Sequence, residues 1–220
     1  MIVSARVLAE RALTHVCVKS KHLIKTRIIL DVLTALRQST AERHAELDTR
    51  TPLAAEAPDL RAYHDHLRLL EAWLAPIQHW IDGARPLADL ARRDYLGLIR
   101  ADLAHPALAG MTSNVGTEEM RWSPAEGEAY RWGVAYVIEG SQLGGAVLYK
   151  RLAQRLAPHP LDYLRGEGSP GPRWQQFLAA LRGAVTTPSQ IDEACRGARQ
   201  AFDSLIELLN NSSAEPAGRP

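Results

Sequence analysis

Apolar residues recur at steps of three and four along most of this chain, which is the spacing of one buried helix face. A first helix is predicted over about 31–48, with a stripe formed by Leu33, Leu36, Thr40, His44 and Leu47. Asp59 is expected to cap a second helix, in which Pro76 predicts a kink or break. A third helix is expected over about 87–104.

Two capping boxes predict the starts of later helices. Ser123-Pro124-Ala125-Glu126 predicts a helix running to about Leu156, and Thr187-Pro188-Ser189-Gln190 predicts the last helix. Between them, a further helix carries Trp174, Phe177 and Leu181. No alternation with period two rivals these stripes, so the fold is predicted to be all-α: a single-domain, irregular helical bundle.

The two ends of the chain differ from its body. Residues 1–30 contain six Lys or Arg residues against one acid, and we interpret them as a loosely attached extension or an early start codon in preference to a transit peptide. Residues 31–210 are expected to form the helical domain, and 211–220 a flexible tail.

Composition excludes some classes of function. A net charge of +1 gives no global electrostatic case for binding nucleic acid or an anionic membrane. No run of 18 apolar residues predicts a transmembrane helix. The only cysteines, Cys17 and Cys195, have no metal-ligand spacing, and a cytoplasmic location is expected.

Three glycines lie within six residues of the predicted Ser123 helix: Gly140, Gly144 and Gly145. Together they cost roughly 3 kcal/mol of helix stability relative to alanine, so something must offset that cost. Glycine lets another object approach the backbone closely. Either a flat ligand or a second helix could lie against this strip, and the pattern alone slightly favours helix packing.

His44 is the second candidate for chemistry. A histidine on an apolar stripe is ordinarily a structural core residue, but Asp48 lies one turn later, where its carboxylate could orient the imidazole as in many metal sites. Arg37 lies about two turns earlier on the same side and could bind an anion. Haem would explain both, since it offers iron to His44 and carboxylates to Arg37.

The segment Leu36-Arg37-Gln38-Ser39-Thr40-Ala41-Glu42-Arg43-His44 resembles the proximal helix of the heme oxygenases. Glu139-Gly140-Ser141-Gln142-Leu143-Gly144-Gly145 resembles their glycine-rich distal helix, in the Gly-Ser form of the bacterial branch. The motifs stand in the expected order about a hundred residues apart. The resemblance implies a haem held between these two helices.

Residue roles follow from that resemblance. His44 would be the iron ligand, and Gly140, Ser141, Gly144 and Gly145 the catalytic distal residues. Arg37 and Tyr136 would bind the propionates, Phe202 would pack near the pocket, and Arg173 and Arg182 are further basic candidates. Ser141 replaces the aspartate that organises distal water in much of the family; alternatively, its hydroxyl satisfies a carbonyl of its own helix.

The implied activity is opening of haem by O₂ and reductant to biliverdin, CO and free iron, with haem as substrate and cofactor. The expected electron donor is a ferredoxin or a reductase, and a phytochrome is a candidate acceptor of biliverdin. The alternatives are a haem carrier on the same fold and a purely structural helical protein. We expect His64-Asp65-His66 to face solvent rather than bind metal. Glu139 is expected either to hydrogen-bond in the pocket or to be solvated or paired at the surface.

Overall fold

The structure, a computed structural model, describes residues 31–82, 93–113, 120, 122–125, 127–166, 168 and 170–214. Within these ranges it is all-helical and contains no strand, as predicted. The extension expected over residues 1–30 lies outside the described residues, as do residues 215–220 of the expected tail. No helix in the described ranges is long and apolar enough to cross a bilayer.

Seven α-helices and one 3₁₀ turn make up the described part of the chain. The helices are α1 (Val32–Arg50), α2 (Leu60–Asp82), α3 (Tyr95–Leu103), α4 (Glu128–Leu152), α5 (Asp162–Arg165), α6 (Pro170–Ala184) and α7 (Pro188–Ala214). The 3₁₀ turn, Pro52–Ala54, links α1 to α2. Helix α7 therefore extends four residues into the expected tail.

Two of the predicted helix starts are confirmed by their hydrogen bonds. The Ala62 N–H donates to Asp59 Oδ1 at 2.8 Å at the start of α2. At α7 the capping box is reciprocal, because the Gln190 N–H donates to Thr187 Oγ1 at 3.3 Å and the Thr187 N–H donates to Gln190 Oε1 at 3.0 Å. Side chains thus satisfy backbone donors that have no partner within the helix.

The predicted start of α4 at Ser123 is wrong. The helix begins at Glu128, after Gly127, whose φ of 142° is a conformation that only glycine adopts readily. A Cβ at Gly127 would also overlap Glu193 Oε1 of α7. The upstream capping pattern therefore starts no helix. Helix α4 ends at Leu152 instead of about Leu156.

Two expectations for the middle of the chain also need correction. Helix α2 continues through Pro76 to Asp82, so the proline does not end it. Helix α3 begins only at Tyr95, where Asp94 Oδ1 accepts the Gly97 N–H at 2.8 Å. Residues 83–92, which we expected to lie between the two helices and in the first turns of α3, are outside the described residues.

Helix α7 is the central element of the bundle, packing against α4, α1 and α2. Its contact with α4 is made at Gly133 and Gly197. A Cβ on Gly133 would overlap the Ala194 carbonyl oxygen, and a Cβ on Gly197 would overlap that of Tyr130. Close packing of α4 against α7 therefore uses one glycine from each helix, and neither belongs to the strip of Gly140, Gly144 and Gly145.

The prediction that His64, Asp65 and His66 face solvent is wrong, because all three are buried at 5%, 9% and 7% exposure. Helix α2 packs against several elements, α3, α7 and the 3₁₀ turn, so more than one of its faces is covered. Asp65 accepts a hydrogen bond from the Ser113 hydroxyl at 3.2 Å. Burial lowers the pKa of His66 to about 4, so that imidazole is neutral near pH 7.

Candidate functional site

His44 lies at the exposed edge of α1, with 62% of its side chain accessible. The prediction that its stripe points into the core holds for Leu33, Leu36, Thr40 and Leu47, which are buried, but not for His44. Its Nδ1 is 3.1 Å from Asp48 Oδ2, the pairing expected from the sequence. A carboxylate on Nδ1 fixes the proton there and leaves Nε2 able to accept a metal ion.

Phe202 of α7 lies beside His44, with a distance of 6.0 Å between ring centroids and a tilt of 54°. Its side chain is buried at 7% exposure. The imidazole therefore has an apolar ring on one side and open access on another. The structure brings these two predicted site residues together from helices far apart in sequence.

Arg37 of α1 and Tyr136 of α4 are a second pair of predicted site residues that lie near each other. The Arg37 guanidinium lies close enough to the Tyr136 hydroxyl for its positive charge to act on that group. Burial raises the pKa of Tyr136, and the neighbouring positive charge partly opposes that rise. Tyr136 consequently stays a neutral hydrogen-bond donor beside an exposed cation, a combination that suits an anionic ligand.

The three glycines of the strip face three different environments. A Cβ on Gly144 would meet nothing within 4 Å, so that backbone faces open space. A Cβ on Gly140 would lie 3.7 Å from the Trp174 ring of α6, and one on Gly145 would lie 3.7 Å from the Leu164 carbonyl oxygen of α5. These are ordinary van der Waals contacts, so neighbouring atoms exclude a side chain at none of the three positions.

Ser141 is committed to its own helix. Its hydroxyl donates to the Ile138 carbonyl at 2.7 Å, the within-helix alternative considered above, although the partner is three residues earlier rather than four. The Gln142 amide donates weakly to Ser141 Oγ at 3.4 Å. Because its proton is used, Ser141 can only accept hydrogen bonds from a group on the open side.

Sequence reasoning did not find the polar network behind this helix. Asp102, 1% exposed, accepts hydrogen bonds from the Tyr63 hydroxyl at 2.5 Å and from the backbone of Asp162 and Tyr163 at 3.1 and 2.8 Å. It thereby anchors α5, whose Tyr163 hydroxyl accepts from Gln142 Nε2 at 3.4 Å. No local pattern predicts this network, since its members lie on four helices.

The two further basic candidates are both engaged in ion pairs. Arg173 donates to Glu139 from Nε at 2.7 Å and from Nη2 at 2.6 Å. Arg182 pairs with Asp31 at 3.1 Å at an exposed position. Glu139 is therefore paired, as one alternative expected. The pair does not lie on the surface, however, because the Glu139 side chain is only 12% exposed.

The residues present fit a haem. An accessible imidazole with an oriented Nδ1, a cation beside a half-buried phenol, an apolar ring and a glycine facing open space supply the ligand, anion site and close approach that the group needs. Among the described residues, no group of three or more His, Cys, Asp or Glu side chains could hold a metal ion.

Comparison with known proteins identifies the family. The sequence model described as "Heme oxygenase" matches residues 30–211, most of the chain. The chain belongs to the heme oxygenase family. That match spans both motifs, the proximal segment on α1 and the glycine strip on α4.

Individual heme oxygenases show the same relationship over shorter stretches. The chain is 38% identical to heme oxygenase of Xanthomonas campestris pv. campestris over 81 residues, 36% of this chain and 49% of that protein. It is 34% identical to heme oxygenase PigA of Pseudomonas aeruginosa over 135 residues, 58% of this chain and 63% of that protein. The aligned stretches thus span about half to three fifths of these curated relatives.

A solved structure shares the fold. The NO- and CO-bound heme oxygenase from Neisseria meningitidis superposes with a TM-score of 0.63 at 22% sequence identity, covering 86% of this chain and 96% of that one. The all-α architecture predicted from the sequence is therefore the heme oxygenase fold.

Proposed function

We propose that this protein is a heme oxygenase that opens haem, with O₂ and reducing equivalents, to biliverdin, CO and free iron. The observation that carries the proposal is the accessible His44, oriented through Nδ1 by Asp48, on a helix whose Arg37 lies near Tyr136 of the glycine-bearing α4. Family membership supports it.

His44 would bind the haem iron through Nε2 as a neutral imidazole, with Asp48 holding the ring orientation. Arg37 and Tyr136 would hold the propionates through charge-assisted and neutral hydrogen bonds. Phe202 would pack beside the His44 imidazole. These contacts bind and orient the substrate without a covalent attachment.

When bound, the haem iron supplies O₂ binding and its reductive activation, and the porphyrin is the carbon skeleton that is oxidised. On the distal side, Gly144 would let the α4 backbone approach the ring, because no side chain occupies that space. Gly140 and Gly145 would continue the strip towards Trp174 and Leu164. Ser141 would accept a hydrogen bond from a distal water, since its own proton is donated to Ile138.

The partners follow from this chemistry and are part of the proposal. Reducing equivalents must come from a donor such as a ferredoxin or a reductase. Biliverdin would pass to an acceptor, for which a phytochrome is one candidate. A cytoplasmic location suits such partners.

The decisive experiment mixes the purified protein with hemin and then adds a ferredoxin system or ascorbate in air, with catalase present. The expected result is loss of the Soret band with formation of biliverdin and CO. His44→Ala should lose turnover, whereas His79→Ala, at an exposed histidine of α2, should behave as wild type. A stable Soret band under these conditions would show a haem carrier instead, and absence of haem binding would leave a structural protein.

A further inference from the structure

A buried ion pair joins α4 to α6 beside the distal glycines. Arg173 donates to both carboxylate oxygens of Glu139, at 2.6 and 2.7 Å, and the side chains are only 16% and 12% exposed. Such a two-point contact between guanidinium and carboxylate fixes orientation as well as distance. The contact therefore fixes the position of α6 relative to α4 near Glu139.

Tyr95 of α3 completes the cluster. Its hydroxyl is 3.0 Å from Glu139 Oε2 and 3.1 Å from Arg173 Nε, which donates to it. Burial and the nearby Glu139 carboxylate raise the pKa of Tyr95, so its proton remains available to that carboxylate. Three helices thus meet at one charged cluster, Tyr95–Glu139–Arg173.

Each charged partner is followed in the chain by a residue of the pocket region. Gly140 follows Glu139, and Trp174 follows Arg173. A Cβ on Gly140 would lie 3.7 Å from the Trp174 ring, whose centroid is 5.6 Å from that of Tyr136. Trp174 also stacks on Phe177 at 5.5 Å. The ion pair is therefore adjacent in the chain to the two residues, Gly140 and Trp174, whose contact it can fix.

A buried ion pair is a poor source of net stability, since desolvation of two charges offsets much of their attraction. Such a pair can instead hold the groups around it in one arrangement, and that role is compatible with a small net gain in stability. We propose that Glu139, Arg173 and Tyr95 are positioning residues that hold Trp174 as a side wall of the haem pocket, restricting how the porphyrin is seated and hence which meso carbon is attacked. This inference rests on the proposed haem-opening function.

The test compares Arg173→Lys and Glu139→Gln with Arg182→Lys, a control at the exposed pair on the same helix. All should bind hemin with a wild-type Soret band. Proton NMR of the cyanide complex of ferric haem should show that the ratio of the two porphyrin seatings changes by about threefold or more in the first two variants, a size that loss of one charge-assisted contact can produce. The control should keep the wild-type ratio.

Product analysis gives a second readout. Chromatographic separation of biliverdin isomers should show a changed isomer ratio in Arg173→Lys, Glu139→Gln and Trp174→Phe, and an unchanged one in Arg182→Lys. If either single variant fails to fold, the double variant Glu139→Leu/Arg173→Leu removes both charges and should fold with the same altered ratio. Folded variants with wild-type seating and wild-type isomers would overturn the inference. Absence of a Soret band in the wild type would instead refute the proposed function.

Discussion

Replacement of Gly144 by alanine should stabilise the haem-free protein against unfolding and weaken its binding of haem. A Cβ there meets nothing within 4 Å, so the change brings no steric cost in the absence of ligand. Alanine is favoured over glycine inside a helix by about 1 kcal/mol. Because Gly144 lies in the interior of α4, the free energy of unfolding should rise by about that amount, or roughly 2–4 °C in Tm.

The assay is urea denaturation of the haem-free protein, followed by hemin titration of the same preparations. Gly144→Ala should show a higher midpoint with an unchanged slope, together with weaker hemin binding or an altered Soret band. Opposite signs in the two measurements are the signature of a glycine that serves a ligand at the expense of stability. A destabilised haem-free variant would show that helix packing, not the ligand, requires this glycine.

Three further predictions concern a loss of folding stability. Gly133→Ala should destabilise the protein by about 1–3 kcal/mol in urea denaturation, since its Cβ would overlap backbone atoms of Ala194 that cannot rotate away; a neutral effect would contradict the close α4–α7 contact. Asp102→Asn should cost about 3 kcal/mol, because the amide cannot accept all the bonds from Tyr63 and the α5 backbone; unchanged thermal stability would refute this. His66 has a pKa of about 4 when folded and about 6.5 when unfolded, so only the unfolded chain takes up its proton as pH falls between these values. Stability should therefore fall by about 3 kcal/mol from pH 6.5 to 4, and His66→Gln should show a smaller fall in the same denaturation series.

Local signals in the sequence predicted the parts of the fold that depend on local chemistry. The α7 start was predictable because Thr187 and Gln190 satisfy each other's backbone donors without help from elsewhere. The α4 start was not, because Gly127 adopts a positive φ next to α7, a tertiary condition that overrides the capping pattern upstream. The same limit explains the buried His64 and His66, which lie on different faces of α2 that are both covered by other elements.

The candidate site also combines contacts that local sequence predicts with contacts that it does not. His44 and Asp48 are one turn apart, so their pairing follows from helix geometry. The contacts of Arg37 with Tyr136 and of His44 with Phe202 join helices far apart in sequence, and only the family resemblance pointed to them. The Glu139–Arg173 pair had no signal, since neither residue is unusual in its own segment.

The most direct test of the central claim is resonance Raman spectroscopy of the reduced haem complex, which detects the bond between iron and an axial imidazole. The wild type should show an iron–histidine stretching band, His44→Ala should lack it, and added imidazole should restore it in that variant. If the band persisted in His44→Ala without imidazole, another residue would hold the iron, and the site built around α1 and Gly144 would be wrong.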